Sequence, residues 1–146
     1  MIKEDSFHLG IKAIIRNSKG QILLLKTNIA KLKGYNGEAY WDIPGGRIHK
    51  GSTVEETLKR EVQEETEISS IKSFKPFSMI LSNMRIPLES GDVGLILSSY
   101  LCEVEDIENI KLSDEHIEYN WFTPSEAAKL LEFKYPKEFV EKLANL

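Results

Sequence analysis

The chain has 146 residues, 41% apolar and 29% charged, which is enough apolar mass for one buried core and too much for a disordered chain. Its 19 Lys and Arg against 23 Asp and Glu give a net charge of −4, the wrong sign for a nucleic-acid coat, so a polyanionic small substrate would need a bound cation. No apolar run has signal-peptide or membrane-spanning length and the lone cysteine excludes an internal disulfide, so the expectation is one cytoplasmic domain over residues 1–146.

Phe7–Arg16 and Gln21–Thr27 are β-rich runs, and the turn chemistry of Asn17-Ser18-Lys19-Gly20 between them predicts a hairpin. A polar loop from Asn28 to Glu38 leads to the apolar run Tyr40-Trp41-Asp42-Ile43, which Pro44-Gly45-Gly46 ends. Thr53 to Glu56 fits a capping box, as does Ser52 to Glu55, and predicts a helix running to about Thr66. Ile71–Leu81 and Val93–Val104 read as strands around a loop at Ser82–Asp92, and Pro76 makes the first an edge strand or a broken one. Ile117–Phe122 is a short strand. Thr123-Pro124-Ser125-Glu126 then opens a helix, and a last helix from near Pro136 carries Phe139, Val140, Leu143 and Leu146 on one side.

On the central helix, steps of ~100° per residue put Glu65 ~40° to one side of Glu61 and Glu64 ~60° to the other. Val54, Leu58 and Val62 overlap this arc as the buried stripe, while Glu56, Lys59, Gln63 and Glu67 take the solvent side. A Glu-rich helix is ordinarily just a solvated one. Three like charges beside a buried stripe instead repel one another unless a cation neutralises them. Hard oxygen donors in that number suit Mg²⁺ or Mn²⁺, with water and substrate phosphate completing the shell.

Gly46 precedes Arg60-Glu61-Val62-Gln63-Glu64-Glu65-Thr66-Glu67-Ile68 at a spacing that closely resembles the Nudix box. That box reads Gly, five residues, Glu, seven residues, then Arg-Glu-aliphatic-any-Glu-Glu-any-Gly-aliphatic. Gly46, Arg60, Glu61, Val62, Glu64, Glu65 and Ile68 match; Ser52 stands where the first Glu belongs and Glu67 where the Gly belongs. Beyond the box, Glu115-His116 followed by Trp121 and a Pro-started helix is similar to the family as well.

The resemblance implies an α/β/α sandwich with a mixed sheet and a loop–helix–loop catalytic motif. It implies a metal-dependent pyrophosphohydrolase, cleaving a nucleoside diphosphate linked to another group by water attack at phosphorus. Glu61, Glu64 and Glu65, with the carbonyl of Gly45, would hold Mg²⁺ or Mn²⁺. Glu61 is the first candidate to accept the proton of the attacking water, with Glu115 or Glu118 as alternatives. Arg60 would orient the ligands by pairing with Glu64 or Glu56, and Ser52 implies lower activity than in relatives. Glu67 is expected to keep the left-handed backbone of the family's Gly.

Tyr40, Trp41, Phe74, Phe77 and Trp121 are able to stack a base, but most read as core. His49 and Lys50 read as a solvated loop, His8 and His116 lack the spacing of a transition-metal site, and Cys102 reads as core filler. The retained carboxylates favour an enzyme over a non-catalytic nucleotide-binding module. Dinucleoside-polyphosphate members carry a Tyr downstream of the box, which Ser69–Ser99 lacks, and the coenzyme A signature is not apparent in Gln21–Ala30. Elimination leaves a nucleoside triphosphate, with ADP-ribose or another nucleotide sugar as the alternative. The expected partner is thus a small nucleotide, with no nucleic-acid polymer and no membrane, bound by a monomer or homodimer.

Overall fold

The computed structural model describes residues 3–106 and 109–146. Among these, the elements run β1 (Phe7–Arg16), β2 (Ile22–Thr27), β3 (Trp41–Asp42), β4 (Gly45–Arg47), α1 (Val54–Thr66), β5 (Ser73–Leu88), β6 (Gly91–Glu103), β7 (His116–Phe122), α2 (Pro124–Leu130) and α3 (Lys137–Ala144). The strands lie in the order β3-β2-β1-β6-β5, with β4 beside β1 and β7 beside β2. β1 and β6 are parallel along Phe7–Arg16, and the other pairs are antiparallel.

Side-chain alternation on β1 and β2 builds the layers. Ile11, Ala13, Ile15, Leu23 and Leu25 pack with Leu58 and Val62 of α1. Ile14, Ile22 and Leu24 belong to a second cluster, with Ala127, Leu131, Tyr135, Phe139 and Leu143 from the α2–α3 segment. Full burial of Leu58 or Val62 contributes about 2 kcal/mol each. Covered on both faces, the central strands can be near-continuous apolar runs, as Ile22-Leu23-Leu24-Leu25 is. The result is the α/β/α sandwich on a mixed sheet that the box implied.

Three details differ from the sequence reading. β1 and β2 pair only where Arg16 meets Ile22; past the turn they diverge, β1 toward β4 and β6 and β2 toward β7. The expected loop at Ser82–Asp92 is mostly strand, because β5 continues to Leu88 and pairs with β6 from Gly91. β5 is the outer strand, where the missing donor of Pro76 or Pro87 is tolerated, and the ladder shifts register at Pro76/Ser78 and Leu81/Arg85. Leu146, expected on the core side of α3, lies past the helix end and is exposed.

The start of α1 is now unambiguous. Thr53 is the N-cap, its Oγ1 accepting from the Glu56 N–H at 3.1 Å. Among the described residues no helix is long and apolar enough to cross a membrane.

Candidate active site

β4 lies antiparallel against Gly10–Lys12 of β1 and faces the inner side of α1. Gly45 has φ 152°, and a Cβ there would run into the Ile11 carbonyl oxygen, so the position takes glycine alone. Its N–H donates to Glu65 Oε2 at 2.8 Å. At Gly46 a Cβ would stand 2.5 Å from Glu61 Cδ, so the missing side chain is the room that the Glu61 carboxylate uses. One glycine thus serves backbone geometry and the other close approach, and together they dock β4 onto α1.

The three α1 carboxylates share an arc but not a depth. Glu65 is 4% exposed, Glu61 is half-buried and Glu64 is exposed. The start of β7 brings Glu115 and His116 to Glu65, so that donor atoms of all three lie within 4.8 Å of one another. His116 Nδ1 is 4.0 Å from Glu65 Oε1 and is buried without a hydrogen-bond partner among the described residues. Glu64 lies outside this group, and Glu118 sits 3.9 Å from Lys26 Nζ instead.

Arg60 does not pair as expected. Its Nη2 lies 3.4 Å from Glu61 Oε1 rather than on Glu64 or Glu56. The reason is screening: Glu64 and Glu56 are exposed, where an ion pair gains little, whereas the Glu61 side chain is largely covered.

Histidine spacing along the chain carries no sign of this group, because the carboxylate of Glu65 is brought to His116 from α1 by the fold. The readable signal was its place beside Glu115.

Burial pushes the Glu65 carboxyl up to about 8, and neighbouring Glu61 and Asp42 add to the rise, while Lys12 and the Gly45 N–H oppose it. A divalent cation alongside would return the group to its ionised form. Burial pushes His116 down to about 4, so its ring is neutral at neutral pH and one nitrogen carries a lone pair. The orphaned ring nitrogen, the space at Gly46 and the oxygen donors together suit a divalent cation.

A second buried cluster stands behind β4. Lys12 Nζ donates to Asp42 Oδ2 at 3.2 Å and to the Ile43 carbonyl at 3.1 Å, and Lys134 Nζ donates to the same Oδ2 at 2.6 Å. Tyr135 Oη and the Ile43 N–H donate to Oδ1 at 2.6 and 2.8 Å. Burial alone would push the Asp42 carboxyl up, but Lys12 and Lys134 hold it well below the usual carboxylate range. The sequence reading missed this network. Its signal was a lysine inside the apolar stretch Leu9–Ile15 and an aspartate inside Tyr40–Ile43.

In front lies a cleft of about 610 Å³, opening beside Gly45 and Gly46 and lined by Lys12, Lys31, Lys33, Arg47, Arg85 and Lys134. Most of this charge is paired: Lys12 and Lys134 share Asp42, Lys31 meets Asp114, and Arg85 meets Asp5 and Asp92, which leaves Lys33 and Arg47 without a salt bridge among the described residues. Tyr35 and Tyr40 also line it, their ring centroids 5.6 Å apart, and half-exposed Phe133 stands 4.9 Å from Tyr40. Of the five aromatics weighed for stacking, Trp41, Phe74, Phe77 and Trp121 pack on the two cores, and Tyr40 lines the cleft. His49 and Lys50 are exposed, and Cys102 is buried in the α1-side core.

Gly45 and Gly46 thus touch the α1 carboxylates and also line the cleft, an arrangement that suits a hydrolase of phosphate chains. A family profile described as NUDIX domain matches residues 6–143, and the chain belongs to the Nudix hydrolase family. It is 30% identical over 114 residues to a rat protein named bis(5'-nucleosyl)-tetraphosphatase [asymmetrical], covering 76% of this chain and 74% of that one. It is 38% identical over 60 residues to 8-oxo-dGTP diphosphatase of Haemophilus influenzae, covering 41% of each. Among solved structures, the MutT protein from Methanosarcina mazei matches with a TM-score of 0.66 and 27% identity, over 99% of this chain and 95% of that one.

Proposed function

We propose that this Nudix hydrolase cleaves a nucleoside triphosphate by water attack at phosphorus, with Mg²⁺ or Mn²⁺ as cofactor. The cationic cleft carries the proposal. A triphosphate laid in the cleft would meet Lys33 and Arg47, with Lys12 and Lys134 beside them sharing Asp42, and would run to Gly45 and Gly46, which the α1 carboxylates approach. Tyr35, Tyr40 and Phe133 offer an aromatic surface for the base.

Glu61, Glu64 and Glu65, with the Gly45 carbonyl, are the residues that would hold the cation. When bound, it neutralises phosphate oxygens and lowers the pKa of a coordinated water. Glu61, placed by Arg60 and by the space at Gly46, takes the proton of the attacking water, with Glu115 as the alternative acceptor. Lys12 and Lys134, tied to Asp42, present positive charge whose position is set before substrate arrives.

A dinucleoside tetraphosphate is the second reading, favoured by the alignment with the rat tetraphosphatase over three quarters of the chain. A panel of nucleoside and deoxynucleoside triphosphates, dinucleoside tetraphosphates and ADP-ribose, with Mg²⁺ or Mn²⁺ and chromatographic analysis of products, tests both. The highest kcat/KM is expected on a triphosphate, releasing monophosphate and pyrophosphate. Higher kcat/KM on the tetraphosphate favours the second reading, and turnover of ADP-ribose alone overturns both.

A further inference from the structure

We propose that His116 is a metal ligand, its Nδ1 joining Glu65 Oε1 and a Glu115 carboxylate oxygen around one divalent cation. The proposal rests on the reading of the α1 carboxylates as a cation site and adds to it a nitrogen donor. The His116 side chain is 8% exposed, and its Nδ1 has no hydrogen-bond partner among the described residues. A buried polar nitrogen without a protein partner carries a desolvation cost. Nδ1 and Glu65 Oε1 are 4.0 Å apart, too far for a hydrogen bond. Cation–donor distances are ~2.1 Å, so one ion spans two donors at most ~4.2 Å apart, which Nδ1 and Oε1 meet as they stand, while the exposed Glu115 side chain, within 4.8 Å of both, closes in by rotating.

Both donors are held by the fold. Glu65 Oε2 accepts from the Gly45 N–H, which fixes the carboxylate and leaves Oε1 facing the ring. His116 is paired with Thr27 in the β2–β7 ladder, where the register shifts between Lys26 and Thr27. Imidazole suits transition metals, whereas Mg²⁺ demands oxygen donors in near-octahedral geometry. This position therefore selects a transition-metal ion such as Co²⁺ or Mn²⁺ over Mg²⁺.

The test uses the full chain, stripped of metal and loaded with Mn²⁺ without substrate. Pulsed EPR should show ¹⁴N modulation from a coordinated imidazole, and it should vanish in His116→Ala and in His116→Asn. Calorimetric titration should show Co²⁺ affinity falling at least tenfold in both variants, with Mg²⁺ affinity changing less than threefold. If the alanine variant fails to fold by circular dichroism, the asparagine variant carries the comparison. Nitrogen coupling absent from the wild type, or persisting in the variants through His8 or His49, overturns the proposal. Glu65→Gln separates the two levels. Loss of Mn²⁺ binding in that variant without nitrogen coupling in the wild type refutes His116 alone, and undiminished binding refutes the cation site with it.

Discussion

Glu67 ends α1 with φ 63° and ψ 16°, the one described non-glycine residue with positive φ. Its N–H donates to the Gln63 carbonyl at 2.9 Å, so the left-handed turn closes the helix where the Nudix pattern has Gly. A Cβ in this conformation costs roughly 1–2 kcal/mol. The carboxylate at the negative end of the helix dipole adds roughly 0.3 kcal/mol at an exposed site. Glu67→Gly removes both terms but gains unfolded-state entropy, returning roughly 0.4–1 kcal/mol. The net expectation is stabilisation by about 1 kcal/mol, or a Tm rise of roughly 3 °C for a chain of this size. Denaturant melts of the metal-free protein measure it. Glu67→Ala is the control, since it drops the charge but keeps the Cβ and should move stability by only a few tenths of a kcal/mol. A destabilised Gly variant, or an Ala variant that gains as much as Gly, refutes the reasoning.

Glu64→Gln and Glu65→Gln should each abolish most turnover without unfolding the protein, and wild-type rates at saturating Mg²⁺ would contradict the ligand assignment. Mg²⁺ or Mn²⁺ should raise the wild-type Tm, because the ion binds the folded site and not the unfolded chain, and the Glu64→Gln variant should respond less. The Glu65 pKa is raised from 4.5 unfolded to about 8 folded, so native protein binds that proton more tightly. Its contribution to stability is therefore present below about 4.5 and lost as pH rises through about 8. Melting curves in chelator across that window should show the decline, and Glu65→Gln should flatten it. Asp42→Asn leaves Lys12 buried without its countercharge and should destabilise the protein by about 3 kcal/mol in urea melts, with a retained midpoint counting against the pair.

Much of the site could be read from residue order because its determinants are local. Thr53 caps the helix it precedes, and the 3.6-residue period puts Glu61, Glu64 and Glu65 on one arc. Gly45 and Glu65, like Gly46 and Glu61, stand at a spacing that a single loop and helix can close. The αL backbone at Glu67 follows the same rule, since a helix end constrains its own next residue. Strand extents near Pro87 were misread because local turn chemistry speaks for a loop, while position at a sheet edge permits a strand.

Composition and pattern alone determined that the chain carries one core's worth of apolar mass, a capped helix with three carboxylates on one arc, and a Nudix box from Gly46 to Ile68. Tertiary structure decided how deep each carboxylate lies, that Arg60 pairs with Glu61, and that His116 meets Glu65 across the fold. It also decided that Lys12, Asp42, Lys134 and Tyr135 form one buried network and that the cations gather along a single cleft. These contacts join residues far apart in sequence. They follow from which strands pair and which faces are covered, and no short-range propensity carries that information.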